Sequence, residues 1–143
     1  MYEDYTRQSL PSKSYRELLG SAICVFNSNN SFIIENILRT DCEHQYDWYL
    51  LIDLESGKLR NAIRNTISKK SDETIANAFE NLVNMRNRIV HSFQVTHNGE
   101  QILATKTRPK DGNRQFIITN EYLLEFINKN EELSTLLHQF RGY

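Results

Sequence analysis

Residues 84 to 93 have the sequence Asn-Met-Arg-Asn-Arg-Ile-Val-His-Ser-Phe, which ends a segment of helical periodicity. At about 100° per residue, a helix over residues 72–92 carries an apolar stripe that faces a core. Arg86 lies in the middle of that stripe, whereas His91 lies about 140° further round the helix, on a polar face. The apolar stripe consists of Ile75, Phe79, Leu82, Ile89, Val90 and Phe93.

An arginine within an apolar stripe needs a partner. A guanidinium stays charged, and burying an unpaired charge costs free energy, so we expect Arg86 to meet a carboxylate, a partner chain or an anion-binding cleft. Asp41 is one candidate, because it falls in the apolar stripe of an earlier predicted helix. An ion pair between Asp41 and Arg86 would give Arg86 a structural role.

The residues around Arg86 and His91 form a short motif. Asn87 directly follows the arginine, and the aromatic Phe93 stands two residues after the histidine. This pattern resembles the Arg-x-x-x-x-His signature of HEPN domains. The resemblance implies a small helical domain, usually dimeric, whose active members are metal-independent endoribonucleases. It also implies that Arg86, Asn87 and His91 are catalytic. The family often has Tyr two residues after the histidine, and Phe93 lacks that hydroxyl.

A second arginine and histidine, Arg39 and His44, have the same spacing. Because the chain has many arginines, such a pair is expected about once by chance. The second pair lacks the following Asn and encloses two acidic residues, Asp41 and Glu43. Arg86 and His91 lie on the helix that precedes a predicted hairpin. This position and the residues around them favour this pair as the functional one.

The implied chemistry is cleavage of RNA without a metal ion. A histidine can take the ribose 2′-hydroxyl proton or protonate the leaving 5′-oxygen, and an arginine can stabilise charge on the phosphoryl oxygens. Asn87 can orient the imidazole of His91 or bind phosphate, and Arg88 can contact the RNA backbone. One chain offers one such histidine, so the resemblance implies that two copies of the motif meet in a homodimer cleft.

Composition limits the other classes of function. The chain has 143 residues and a net charge of -1, so we expect one domain and a focused RNA contact. Cys24 and Cys42 fall in helical apolar patterns, and we expect reduced core side chains. Zinc-ligand spacing and a glycine-rich phosphate loop are absent from the sequence, so we expect no metal and no cofactor. Without an apolar leader or a membrane-spanning run, we expect a cytoplasmic protein that contacts no membrane.

Hydrophobic spacing predicts a mainly α-helical bundle of about five helices in a single domain, residues 1–143, and the resemblance of the motif implies that this bundle is HEPN-like. A β insertion over residues 94–119 is predicted between the last two helices. Residues 1–11 are expected to form an N-terminal arm, Asn27–Asn30 to break the first helix, and Gly57 to end the second. The predicted helices cover about 12–26, 31–55, 58–69, 72–91 and 120–140.

The predicted insertion is an antiparallel meander. Alternating apolar residues flank Asn98-Gly99, a strong hairpin-turn signal, and a third strand is expected over 114–119. The distal turn between the second and third strands is basic and suits phosphate contacts, although exposed turns are also basic for solubility alone. Its predicted RNA-binding residues are Lys106, Arg108, Lys110 and Arg114.

These observations favour a homodimeric endoribonuclease that cleaves RNA. Such proteins resemble toxin or abortive-infection components of prokaryotic antiphage defence, in which an antitoxin or another regulatory partner restrains activity. One alternative is a non-catalytic HEPN-like module that binds RNA, a nucleotide or a protein, with Arg86 in a structural ion pair. Another is an unrelated helical domain that carries the motif by chance.

Overall fold

Helices make up most of the structure, a computed structural model that describes residues 1–142. Their arrangement and the small antiparallel sheet agree with the mainly helical fold predicted from the sequence. No helix of this described part is both long and apolar enough to cross a membrane. In chain order the helices are α1 (Lys13–Thr40), α2 (Trp48–Asp53), α3 (Ser56–Asn65), α4 (Ile67–Lys70), α5 (Thr74–Val90) and α6 (Asn120–Arg141).

The three strands are antiparallel and lie between α5 and α6 in the chain, in the spatial order β1-β2-β3. Asn98 and Gly99 connect the first two strands with φ angles of 53° and 79°, as a tight two-residue hairpin turn requires. A short 3₁₀ turn over Pro109–Asp111 precedes the third strand. The strands are β1 (Phe93–His97), β2 (Glu100–Lys106) and β3 (Gln115–Ile117).

Helices α1 and α6 pack side by side and run in the same direction. Near their first residues, the Tyr15 hydroxyl donates a hydrogen bond of 2.7 Å to the backbone oxygen of Ile118. Near their last residues, Arg141 forms an ion pair of 3.2 Å with Glu35. Helix α5 runs in the opposite direction, since Met85 near its end contacts Tyr122 at the start of α6. The strands therefore connect two helix ends at the end of the bundle where α1 begins.

Stacked phenylalanine rings join the three longest helices. The ring of Phe26 in α1 lies 6.1 Å from that of Phe79 in α5 and 5.9 Å from that of Phe126 in α6, with small interplanar angles. All three side chains are buried. Burial of three aromatic side chains contributes a large favourable free energy to the stability of a core of this size.

The predicted helix break at Asn27–Asn30 is wrong, since α1 continues to Thr40. Asn29 is buried, and its amide donates to the backbone oxygen of Asn130 at 2.7 Å and to its side-chain oxygen at 3.0 Å. Helix α6 thus satisfies the polar group that would otherwise compete with the helical backbone. The helix start predicted near residue 12 is confirmed, and Ser12 caps the helix by accepting a 3.2 Å hydrogen bond from the Tyr15 N–H.

The predicted single helix over residues 31–55 is also wrong. The chain leaves helical geometry at Asp41, whose buried carboxylate accepts a 2.8 Å hydrogen bond from the Tyr46 N–H. A new helix, α2, begins after the Asp47 cap, and Gly57 lies inside α3 instead of ending a helix. Of the residues expected on the apolar stripe there, Leu51 is buried but Trp48 is 44% exposed.

Several side chains predicted to lie in the core are at the surface. Cys24 and Cys42 are both exposed, because Cys24 lies about 200° round α1 from Phe26 and Cys42 lies in the loop after that helix. Val90 and Phe93 are 49% and 43% exposed. Helix α5 ends at Val90 and the chain turns into β1, so these two residues leave the buried stripe.

Helix α6 starts at the predicted residue, 120, and Thr119 caps it through a 3.1 Å hydrogen bond from the Tyr122 N–H. Helix α5 begins at Thr74, slightly later than the predicted start at about residue 72. The Asp72 carboxylate still accepts a 2.9 Å bond from the Thr74 N–H. Hydrogen bonds from Thr74 lower the pKa of Asp72 below its ordinary value.

Replacing Phe26 with alanine is expected to lower the free energy of unfolding by about 3–5 kcal/mol, because the cavity removes contacts with two other helices, α5 and α6. Urea denaturation followed by circular dichroism measures this loss. The comparison is Trp48→Ala, at an exposed aromatic residue, with an expected cost of about 1 kcal/mol or less. Equal losses in the two variants would contradict the central position of the Phe26 ring.

Candidate functional site

The candidate site lies where α5 ends against the sheet. His91 follows the last helical residue, and its backbone N–H donates a 2.9 Å hydrogen bond to the Asn87 carbonyl. Its own carbonyl accepts a 3.3 Å bond from the Thr105 hydroxyl on β2. The His91 side chain is exposed and makes no hydrogen bond to any residue of the described part. The backbone is therefore fixed while the imidazole is open to solvent.

Arg86 is half-buried and rests on the aromatic core. The carbon of its guanidinium lies 5.7 Å from the centroid of the Phe26 ring, and Nη1 donates a 3.1 Å hydrogen bond to Asn87 Oδ1. A cation over a ring face is attracted by the ring without being neutralised. The ring of Phe26 thus provides the contact that allows Arg86 to lie within the apolar stripe of α5.

The predicted ion pair between Asp41 and Arg86 does not form. Within residues 1–142, no carboxylate lies at ion-pair distance from Arg86. The Asp41 carboxylate instead accepts a hydrogen bond from the Tyr46 N–H, within the loop that follows α1. Arg86 therefore keeps its full charge beside Asn87.

The structure brings the side chains of Arg86 and Asn87 into contact but leaves the His91 imidazole without a hydrogen bond to either of them in the described residues. No hydrogen bond joins the Arg86 guanidinium to the His91 imidazole in the described part of the chain. The cause is the helical angle of about 140° between the two residues. A phosphate that touches both side chains must lie across the end of α5, beside Asn87.

Arg88 connects α5 to the basic distal turn. Its Nη1 donates a 2.7 Å hydrogen bond to the Lys106 carbonyl at the end of β2. At the turn, the Lys106 ammonium donates to Asn113 Oδ1 at 2.6 Å, and Arg108 pairs with Asp111 at 3.0 Å. The remaining predicted RNA-binding residues of the turn, Lys110 and Arg114, are exposed.

A hollow of about 170 Å³ lies between α5, the distal turn and the start of α6. Sequence reasoning missed it because its walls come from separate elements. The rings of Phe116 and Tyr122 lie 5.7 Å apart, and the Tyr122 hydroxyl donates a 3.3 Å hydrogen bond to the Met85 carbonyl. Burial raises the pKa of Tyr122 to about 12. The lining residues are Asn84, Met85, Arg88, Thr107, Arg108, Asp111, Phe116 and Tyr122.

A larger hollow, of about 530 Å³, lies between the hairpin and the starts of α1 and α6. His97 lines it, but so do the acidic residues Glu100 and Glu121, and its lining includes neither Arg86 nor His91. Carboxylates repel phosphate, so this hollow fits RNA chemistry less well than the end of α5.

Comparison with protein-family models, with curated proteins and with solved structures found no match for this chain. Among residues 1–142, no group of three or more His, Cys, Asp or Glu side chains is placed to hold a metal ion. The side chains at the end of α5 are therefore the features of this chain that indicate a function.

Replacing Tyr122 with phenylalanine is expected to protect the fold at alkaline pH. The folded state raises the pKa of Tyr122 from 10.0 to about 12. Its stabilising contribution is therefore complete below about pH 10 and is lost as pH rises through about 12. Urea denaturation at pH 8 and at pH 11 gives the free energy of unfolding at each pH. The difference between the two values is the alkaline loss of stability.

The matched control is Tyr49→Phe, at a tyrosine that is 78% exposed. That variant should show the same alkaline loss as the wild type, whereas Tyr122→Phe should show a smaller one. Identical losses in all three proteins would mean that burial does not perturb Tyr122.

Proposed function

We propose that this chain is a HEPN-like, metal-independent endoribonuclease that acts as a homodimer. The observation that carries the proposal is the state of Arg86. It lies in the apolar stripe of α5, rests over Phe26 at 5.7 Å and has no carboxylate partner within residues 1–142. A half-buried guanidinium without a carboxylate partner is suited to bind an anion such as a phosphodiester.

The proposed reaction begins with attack of a ribose 2′-oxygen on the adjacent phosphorus. A base accepts the 2′-hydroxyl proton, the bond from phosphorus to the 5′-oxygen breaks, and an acid protonates that oxygen. The products are a 2′,3′-cyclic phosphate, which water then opens, and a free 5′-hydroxyl. Arg86 stabilises charge on the phosphoryl oxygens, and Asn87 holds the guanidinium through the 3.1 Å hydrogen bond.

Acid and base roles at one phosphate require two proton-transfer groups, and each chain supplies one, His91. A dimer with the two α5 ends adjacent would bring the second histidine. The surface beside His91 supports such contact, because Val90 and Phe93 are large apolar side chains that are 49% and 43% exposed. Exposed apolar residues next to a polar group are typical of contact surfaces.

The proposed setting is a toxin or an antiphage-defence component restrained by an antitoxin or a regulatory protein. It follows from the resemblance of the Arg86 to His91 motif to HEPN domains. In this setting RNA is the substrate, and the partner protein would have to cover the end of α5 or hold the two subunits apart.

One observation favours a second candidate, a non-catalytic HEPN-like module that binds RNA or a nucleotide. The side chains of Arg86 and His91 share no hydrogen bond in the described chain, and His91 lies beyond the last residue of α5. Phe93 also lacks the phenolic hydroxyl that the family often has at that position. A binding module needs Arg86 and Arg88 but not a titrating His91.

Cleavage of a mixed single-stranded RNA pool in EDTA distinguishes the two candidates. We expect His91→Ala to lower the cleavage rate about 100-fold or more, through loss of a proton-transfer group. We expect a loss of about the same order in Arg86→Ala, through loss of charge stabilisation. Circular dichroism confirms that each variant is folded.

The matched control is His44→Ala, since His44 is exposed and belongs to the second pair with the same spacing. It should cleave RNA at the wild-type rate. Cleavage by His91→Ala at the wild-type rate would contradict the proposed nuclease, and so would a folded, dimeric wild type that does not cleave.

Mixing experiments test the shared site. An excess of His91→Ala protein, equilibrated with wild type, should lower activity more than dilution alone, because mixed dimers carry one histidine at each phosphate. An equal excess of His44→Ala should not lower it. Activity strictly proportional to the wild-type concentration in both mixtures would mean that each chain cleaves alone.

A further inference from the structure

We propose that the 170 Å³ hollow beside α5 binds a nucleobase of single-stranded RNA. Its apolar surface comes from Phe116, Met85 and the ring of Tyr122. The Tyr122 hydroxyl is engaged with the Met85 carbonyl at 3.3 Å, so this residue presents its ring to the hollow. Unpaired bases stack on such rings, since every base has a flat π-face.

The polar group best placed to contact a base edge is the Asn84 amide. Asn84 is half-buried, lines the hollow and makes no side-chain hydrogen bond within residues 1–142. An amide offers both donors and an acceptor, the combination that nucleobase edges complement. Asp111 adds acceptor oxygens at the rim, where it pairs with Arg108 at 3.0 Å.

Charge at the rim suits the phosphates on either side of a bound base. Arg88 and Arg108 contribute two guanidinium groups against the single carboxylate of Asp111. Arg88 is held by a neutral carbonyl, that of Lys106, so its charge is not cancelled. The Arg108 pair is partly exposed, and such pairs exchange readily for a phosphate.

The hollow lies on the face of α5 that leads to His91, one of the proposed catalytic residues. Asn84, Arg88 and His91 follow one another at helical spacing, and two turns separate the first from the last, a rise of roughly 10 Å. A base in the hollow would therefore belong to a nucleotide near the cleaved phosphate, with Arg88 between them. This relation to cleavage rests on the proposed function, whereas base binding itself does not.

Methionine NMR tests the pocket directly. The chain has two methionines, so ¹³C-methyl labelling gives one signal in the hollow, from Met85, and one at the N-terminus, from Met1. Wild-type protein is titrated with the 5′-monophosphates of adenosine, guanosine, cytidine and uridine. We expect saturable movement of the Met85 signal with at least one of them and none of the Met1 signal. Ribose 5-phosphate, which lacks a base, should leave Met85 unmoved.

Two variants probe the contacts. Phe116→Ala should weaken the nucleotide affinity about tenfold through lost stacking, and Asn84→Ala should weaken it without touching the core. The control is Tyr49→Ala, at a tyrosine on α2 that is 78% exposed, which should leave the affinity unchanged. The proposal is overturned if no nucleotide moves Met85, if ribose 5-phosphate moves it equally, or if neither variant weakens binding.

The outcomes separate this proposal from the nuclease. If the wild type binds nucleotides at Met85 but never cleaves RNA, the base-binding proposal stands and the nuclease proposal is wrong. If cleavage depends on His91 but no nucleotide binds at Met85, the nuclease proposal stands and the base-binding proposal is wrong. If both are right, Asn84→Ala should also change which nucleotides flank the cleavage sites.

Discussion

The stack of aromatic rings around Phe26 is the contact on which both the core and the candidate site depend. One ring from α1 packs against Phe79 of α5 and Phe126 of α6, and Arg86 lies over it. The same side chain therefore contributes to the burial that stabilises the bundle and supports the guanidinium of the candidate site. An aromatic face attracts a cation without neutralising it, whereas a carboxylate would have removed the charge that phosphate binding needs.

Hydrophobic periodicity predicted the parts of the fold in which neighbours along the chain decide the structure. The starts of α1 and α6 follow from Ser12 and Thr119, whose hydroxyls cap the helices locally. Prediction failed where tertiary contacts decide. The contact of Asn29 with Asn130 lets α1 pass through a run of poor helix formers, and an apolar pattern that continued past Asp41 concealed a turn of the chain.

The candidate site was only partly accessible from sequence, for a related reason. Spacing places Arg86 on a stripe, but it does not say which residue of another helix will face it. Asp41 was a plausible acidic partner for Arg86, but the ring of Phe26 lies against the guanidinium instead. The hollow beside Tyr122 combines residues of α5, the distal turn and α6, and only the sheet register and helix packing bring those elements together. Among its lining residues, Arg88 and Arg108 could be proposed in advance, because clustered positive charge is visible in the sequence.

The parallel course of α1 and α6 has a consequence for biosynthesis. Their contacts join residues more than a hundred positions apart, as in the Tyr15 bond to Ile118 and the Asn29 bond to Asn130. During translation α1 emerges before α6 has been made, so the ring of Phe26 lacks its contact with Phe126 until α6 leaves the ribosome. The core, and with it the full support of the ring under Arg86, is thus completed only once both helices exist.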